Sequence, residues 1–510
     1  MKTSRYWIVF AVCALGWLIV SLSIAPAMSG PDVYIFRDAG WNLASSGSFE
    51  SAALLYMRDL TPRLYSHYTP IMPLLFAGYA SVFPRNAYAG TIFNLLLGLL
   101  AAAVALGWVL RQPAENGKLR ASAALAVAIL PVAFITHDRP EAIALVLFSA
   151  VIAVATLPRS RPALIGLLIA VVFMAHPFAA IAAGLWVFAL YLSHNWNRPE
   201  RFPLALRQIA ITGAFTAAPL IPVALLYYSL DHDSLARFAV HALGMHSGLG
   251  VVMAAKSDNS FSRAILHAAA FKESSLGTWT YALSLASSLW LCVWAIGNRK
   301  GLRHADWLLI AAGLACTFFT GLLFPAQGNY VMFTAFLIPL GLLIVSRASN
   351  KLAVPGLVLL LFVIFINMPS FCVDLVERIE QRSSYRAARQ QPLYLLAQLP
   401  SSNALVAVES GSYDVFKPAF QHMIALDNAE DPDHFAKLAA VANCYQTFRG
   451  DAGRVRPFPE KLNASEFHMI QADPEHMWVM LLGHKVMRAQ WGYGCDLYLR
   501  NSPAQPALQR

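Results

Sequence analysis

The feature that most constrains this chain is a series of apolar stretches, each near the ~20 residues a helix needs to cross hydrocarbon, separated by short basic loops. They lie at 6–26, 87–110, 120–136, 141–157, 163–175, 177–194, 208–229, 275–297, 305–323, 329–346 and 352–370. With 57% hydrophobic and 13% charged residues over 510 positions, a soluble fold would have too little polar surface to cover them. The first stretch has the basic start and small-residue exit of a signal peptide. It is longer than a signal core and many more spans follow, so it reads as a retained first helix. The expectation is an α-helical polytopic membrane protein with about eleven transmembrane helices.

Loop charge sets the orientation. The connections 111–119, 158–162, 195–207, 298–304 and 347–351 each carry arginine or lysine, which places them on the cytoplasmic side together with the N-terminus. That assignment holds only if the proline-opened segment 68–83, YTPIMPLLFAGYASVF, does not cross. It therefore reads as a juxtamembrane helix on the outer face, inside a long first external loop, 27–86. A second long external loop spans 230–274, and external turns fall at HDRPE (137–141) and FPAQGN (324–329). No internal repeat is visible, which sets the chain apart from transporters built of inverted halves.

Residues 1–370 thus read as the transmembrane domain and 371–510 as a separate external domain. From Glu377 to Gln391 the chain is charged and helical. Short strand patterns follow at 403–410, 422–427, 466–473 and 495–500, with a helical pattern at 431–448 between the second and third. Strands separated by a helix predict a small extracytoplasmic α/β domain. The net charge of +10 resides mainly in the short loops, so it is an orientation signal and nucleic acid is excluded as a partner. The six cysteines show no CxxC spacing, which excludes a thiolate metal site, while Cys444 and Cys495 could pair in an oxidising compartment.

Just after the first span, Pro31 to Gly47 (PDVYIFRDAGWNLASSG) places Asp32, Arg37 and Asp38 beside the membrane, where charges mark either a site or a helix cap. One span, then Asp32 with small and leucyl residues up to Gly47, then a proline-interrupted apolar segment, resembles the start of a GT-C glycosyltransferase. This superfamily includes the protein O-mannosyltransferases and lipid A aminoarabinose transferases. The resemblance carries landmarks over about the first 200 residues and layout beyond. It implies a bacterial inner-membrane enzyme that takes a sugar from a polyprenyl-phosphate donor on the outer face. The acceptor would be a lipid, a glycan or a protein.

Residue by residue, the resemblance puts the family's catalytic aspartate on Asp32. Val33 stands where many members have a second acid, and Asp38 is the nearest substitute. The carboxylate of the second external turn falls on Glu141, with His137, Asp138 and Arg139 beside it. Proline at 140 and glutamate at 141 also suit an ordinary helix start. His176, before Pro177, stands where relatives place a cation at a break between helices. Tyr330 matches a family tyrosine, although Asn329 replaces the cation that precedes it there.

The chemistry explains these residue types. A sugar on polyprenyl phosphate already has a good leaving group, so the protein needs a base, here Asp32, and cations for the departing phosphate. Arg139, His176, Arg58 and Arg63 are candidates for the latter, and hard oxygen ligands from Asp32 and Glu141 suit a Mg or Mn ion. In the 230–274 loop, His241, His246, Lys256 and Arg263 read either as a mobile cover or as an amphipathic surface segment. Two other classes stand beside this reading: a multispanning lipid or solute transporter, and a noncatalytic envelope-assembly protein.

Overall fold

The computed structural model describes residues 3–27, 33–51, 63–66, 68–83, 85–111, 141–157, 161–239, 276–302, 304–323, 372, 375–376, 378–399, 406–408, 412–420, 423–425, 444–447, 467–471, 478–481, 484–488 and 496–501. Helices dominate up to residue 323. They are α1 (Thr3–Ser23), α5 (Ala89–Arg111), α6 (Glu141–Ala155), α7 (Pro162–Ala175), α8 (Pro177–Asn195), α9 (Arg201–Leu230), α11 (Leu276–Gly297) and α12 (His304–Leu323). Four of these, α1, α5, α8 and α9, are long and apolar enough to cross a membrane, searched among the described residues. The expected spans at 120–136, 329–346 and 352–370 lie outside those residues.

Small residues let the helices approach closely. The main cluster joins α5 to α9, α11 and α12 around Trp108, Phe148, Trp186 and Tyr191. Where α7 meets α9, a Cβ on Gly166 would stand 2.4 Å from the Thr212 carbonyl, so glycine is what permits the contact. Helices α1 and α9 differ from α5 and α8: their candidate spans are only 6% buried, and on α1 Ile8, Val12, Leu15 and Ile19 face outward. An apolar helix of 21 residues exposed on most sides is matched to lipid.

Polar contacts show that the loop-bearing ends of the helices segregate. Trp108 Nε1 donates to Thr156 Oγ1 at 2.7 Å, joining the end of α5 to the end of α6. Trp196 stacks on His304 at 5.4 Å, and the Arg201 guanidinium lies 4.5 Å over the Trp196 ring. The basic connections after α8 and α11 therefore meet at one end of the bundle.

The opposite end gathers the first loop. Pro31 to Gly47 folds into α2 (Val33–Phe36) and α3 (Asp38–Ser46), which ends at Gly47 with φ 76°, a left-handed cap that favours glycine. A short antiparallel ladder, β1 (Glu50–Ser51) and β2 (Arg63–Leu64), follows. The segment expected to lie on the surface forms α4 (Ile71–Val82), whose 12 residues measure ~18 Å, too short to cross. It buries Met72, Phe76 and Ala80 while exposing Leu74, Leu75 and Val82.

Beyond α13 (Arg382–Ala388) and α14 (Gln391–Gln398), a five-stranded mixed sheet runs in the order β4-β3-β5-β9-β6. Its strands are β3 (Val406–Val408), β4 (Met423–Ala425), β5 (Cys444–Thr447), β6 (Phe467–Gln471) and β9 (Asp496–Arg500). The first three are parallel; β9 is antiparallel to its two neighbours. One expectation fails here. The helical pattern at 431–448 ends in a central strand, because Cys444 to Thr447 pairs with β3 on one side and β9 on the other, and two-sided pairing overrides local periodicity. A further hairpin, β7 (Trp478–Leu481) with β8 (His484–Arg488), was not anticipated. Cys495 lies outside the described residues.

Helices α3 and α4 meet at Gly40, where a Cβ would stand 2.4 Å from the Pro73 carbonyl oxygen. Gly40→Ala should therefore cost ~1–3 kcal/mol, read as lowered thermal stability in detergent. Gly78→Ala on α4, with nothing within 4 Å, should leave it unchanged.

Candidate functional site

Arg37 and Asp38 are the most deeply buried charges of the first loop, at 0% and 1% exposed. Arg37 forms a two-armed pair with Asp414, Nη1 to Oδ1 at 3.1 Å and Nη2 to Oδ2 at 2.8 Å. Its guanidinium lies 5.5 Å from the Phe76 ring centre and passes over Gly90, where a Cβ would stand 1.5 Å from Nη1. Only glycine at 90 leaves room for that arm. Asp38 Oδ1 accepts from Lys417 Nζ and the Tyr413 hydroxyl, both at 2.8 Å. Its Oδ2 accepts from Ser51 Oγ at 2.7 Å and Asn42 Nδ2 at 3.3 Å. Burial and the neighbouring Asp38 carboxylate push the Tyr413 phenol well above its ordinary range, so it stays a donor.

These partners sit on α15 (Tyr413–Phe416) and the turn after it, beyond the carboxyl end of β3. The chain leaves β3 for β4 on one side and returns to β5 on the other, so this is a topological switch point, the usual ligand crevice of such sheets. Here the chain's own first loop occupies it. Asp38 was expected as a substitute for the missing second acid. Each of its oxygens is held by two protein donors, and through Tyr413 and Lys417 it ties the first loop to α15 and the turn after it.

A second polar group lies where the first loop meets the end of α9. Arg237, on α10 (Ser234–Phe238), pairs through Nη2 with Asp231 and donates from Nε to Ser66 Oγ at 3.1 Å. Its side chain is only 12% exposed. Among the described residues, buried Arg237 Nη1, Tyr65 Oη, Tyr227 Oη and Ser234 Oγ have no hydrogen-bond partner. Tyr65 is fully buried and electrostatically coupled to Tyr227, and burial pushes its phenol up. Buried polar atoms cost about 1–3 kcal/mol each when left unmade, so these four, one of them on Arg237 itself, describe a seat for an anionic, multiply accepting group. Sequence reading passed over Arg237 in favour of the histidines further along the loop. Its signal was position: it is the first basic residue after the apolar run of α9.

His176 stands at the break between α7 and α8, 0% exposed. Its Nδ1 accepts from Ala179 N–H at 3.4 Å, capping α8, and its ring packs edge-on to Tyr68 at 6.1 Å. Thr69 Oγ1 donates to the Ala175 carbonyl at 3.0 Å, fastening the same strip of first loop to that break. Arg63 lies on β2 opposite Ser51, the residue that holds Asp38. Glu141 is the first residue of α6. Asp32, Arg58, His137, Asp138, Arg139 and Tyr330 lie outside the described residues, as do His241, His246, Lys256 and Arg263. Val33, one residue after Asp32, and Ile143, two after Glu141, are buried in the same cluster as Tyr65, Tyr68 and Ala175. Among the described residues, no group of three or more His, Cys, Asp or Glu could hold a metal ion.

Removing one partner of a buried ion pair strands the other charge. Lys417→Met should cost ~3–5 kcal/mol, measured by unfolding in detergent. The double change Asp38→Asn with Lys417→Met should cost less than the two single changes added together. Additive losses would show that the pair is not coupled.

No family model matches the sequence, and no curated protein matches it significantly. Solved structures do. ArnT from Cupriavidus metallidurans, crystallised bound to undecaprenyl phosphate, superposes with a TM-score of 0.55 over 98% of each chain, at 13% identity. The Archaeoglobus fulgidus oligosaccharyltransferase aligns with 86% of this chain and 67% of its own at a TM-score of 0.42 and 11% identity. Over nearly its whole length, the chain has the fold seen in ArnT.

Proposed function

We propose that the chain is a membrane glycosyltransferase that moves a sugar from a polyprenyl-phosphate donor to a lipid, glycan or protein acceptor on the outer face of the membrane. The observation that carries this reading is the near full-length fold likeness to a protein crystallised with undecaprenyl phosphate. The polar seat around Arg237, at the end of the bundle that gathers the first loop, supports it.

In this reading Asp32 is the general base. Its carboxylate takes the proton of the acceptor hydroxyl or amine as that atom attacks the anomeric carbon. The bond from that carbon to the phosphate oxygen breaks, polyprenyl phosphate leaves with the electron pair, and the anomeric centre inverts. Arg237 holds the departing phosphate through Nη1, while Nε and Nη2 stay on Ser66 and Asp231. Charge-assisted bonds of this kind gain strength where water is scarce. Arg139, Arg58 and Arg63 are further cations for the donor, and Glu141 is the second acid at the reacting centre. His176 shapes the pocket from the α7–α8 break, with one nitrogen given to the helix cap.

The test pairs two variants in lipid nanodiscs, assayed with undecaprenyl-phosphate-linked hexoses and pentoses and a total envelope extract as acceptor. Asp32→Asn should lower kcat by roughly 10²–10⁴-fold while leaving undecaprenyl phosphate binding intact. Arg237→Gln should weaken that binding by about tenfold or more. Transfer that survives Asp32→Asn, or binding unchanged by Arg237→Gln, would contradict these assignments.

A further inference from the structure

Arg378 fixes a level in the molecule. Buried at 4% exposed, it donates from Nε to the Ala25 carbonyl at 2.9 Å and from Nη2 to the Ser21 carbonyl at 3.5 Å, and its own carbonyl accepts from Ala25 N–H at 3.2 Å. It thereby caps the C-terminal end of α1, the helix whose apolar side chains face outward along its length. The end of such a helix is where hydrocarbon gives way to headgroups. Tyr88, whose hydroxyl donates to the Ile24 carbonyl at 2.9 Å, marks the same level.

The chain then displays three more arginines, Arg382, Arg386 and Arg389, at helical spacing of four and three residues. All three are exposed, and none of their guanidinium groups takes part in a hydrogen bond or ion pair among the described residues. They do not stray from the interface, since all lie within electrostatic range of the Tyr88 phenol. Large apolar side chains flank them: Ile379 is 50% exposed, Leu393 61% and Tyr394 44%. Exposed arginines interleaved with exposed apolar side chains, at the depth where a lipid-facing helix ends, have the composition of a surface that lies on a bilayer. The charge rule makes their place notable, because the short basic loops that set the orientation lie at the opposite end of the bundle.

We propose that residues 378–394 rest on the leaflet where α1 ends, with Arg382, Arg386 and Arg389 on the phosphates of anionic phospholipids and Ile379, Leu393 and Tyr394 dipping between them. Three cations spread along two turns suit several singly charged headgroups better than one phosphate held by converging donors. A bound headgroup layer would fix the height of the sheet that begins at β3. This inference does not depend on what reaction the protein performs.

The experiment uses the full chain in phosphatidylcholine proteoliposomes carrying a trace of spin-labelled phosphatidylglycerol or spin-labelled phosphatidylcholine, and measures the motionally restricted fraction of each. The basic loops at the far end add the same background to every variant. Wild type should prefer phosphatidylglycerol at least twofold more strongly than Arg382→Gln/Arg386→Gln/Arg389→Gln, with the difference vanishing in high salt, as surface electrostatics requires. The corresponding triple lysine variant should keep the preference. Because the three side chains have no hydrogen-bond or ion-pair partner among the described residues, the glutamine variant should elute and unfold like wild type. A glutamine variant with undiminished selectivity, or a lysine variant that loses it, would overturn the proposal.

Discussion

Two crossing ion pairs, Arg37 with Asp414 and Asp38 with Lys417, hold the site end of this molecule together. They join residues adjacent in the first loop to residues three apart beyond β3, with 377 and 379 positions of chain between the partners. Burying four charges is a poor way to gain stability, since apolar replacements of similar volume are often as good. What such pairs supply is register. Arg37 fits one way, between Gly90, Phe76 and the Asp414 carboxylate, and Asp38, already held by Asn42 and Ser51 of its own loop, accepts from Tyr413 and Lys417, which only this docking brings to it.

That register matters because Asp32 immediately precedes α2, and α2 runs directly into Arg37. The seat of the first loop is thus set from the far end of the sequence. In an isolated α/β domain, the crevice past the carboxyl end of β3 would be the natural place for a ligand. Here it receives the first loop, through Arg37 on Asp414 and Asp38 on Tyr413 and Lys417. The polar seat around Arg237 and the α7–α8 break lie against the same strip, Tyr65 to Thr69, which links the two halves of the site.

Much of this was legible in the residues. Apolar length located the helices to within a few positions, since hydrocarbon thickness leaves little freedom; α9 alone begins well before its expected start, because Arg201 and Arg207 lie on its first turns. The helical nature of 68–83 and its shortness were readable from its prolines and length. The loop at 31–47 was recognisable as special because charge beside a membrane is costly. What could not be read was pairing across great sequence distance. Nothing local marks Asp414 and Lys417 as partners of Arg37 and Asp38, so Asp38 looked like a catalytic acid. Likewise Cys444 to Thr447 carries a helical pattern and becomes a strand through neighbours on both sides. Arg237 escaped notice because its meaning comes from the unpartnered atoms around it, which exist only in the fold.

The central claim is that the first loop, the start of α6 and Arg237 frame one cavity for a lipid phosphate. An experimental structure of the protein in nanodiscs with undecaprenyl phosphate tests it most directly. The account predicts the phosphate within hydrogen-bond distance of Arg237 Nη1, with the Asp32 and Glu141 carboxylates opening onto the same cavity. A phosphate bound elsewhere, with those two acids facing separate regions, would contradict it.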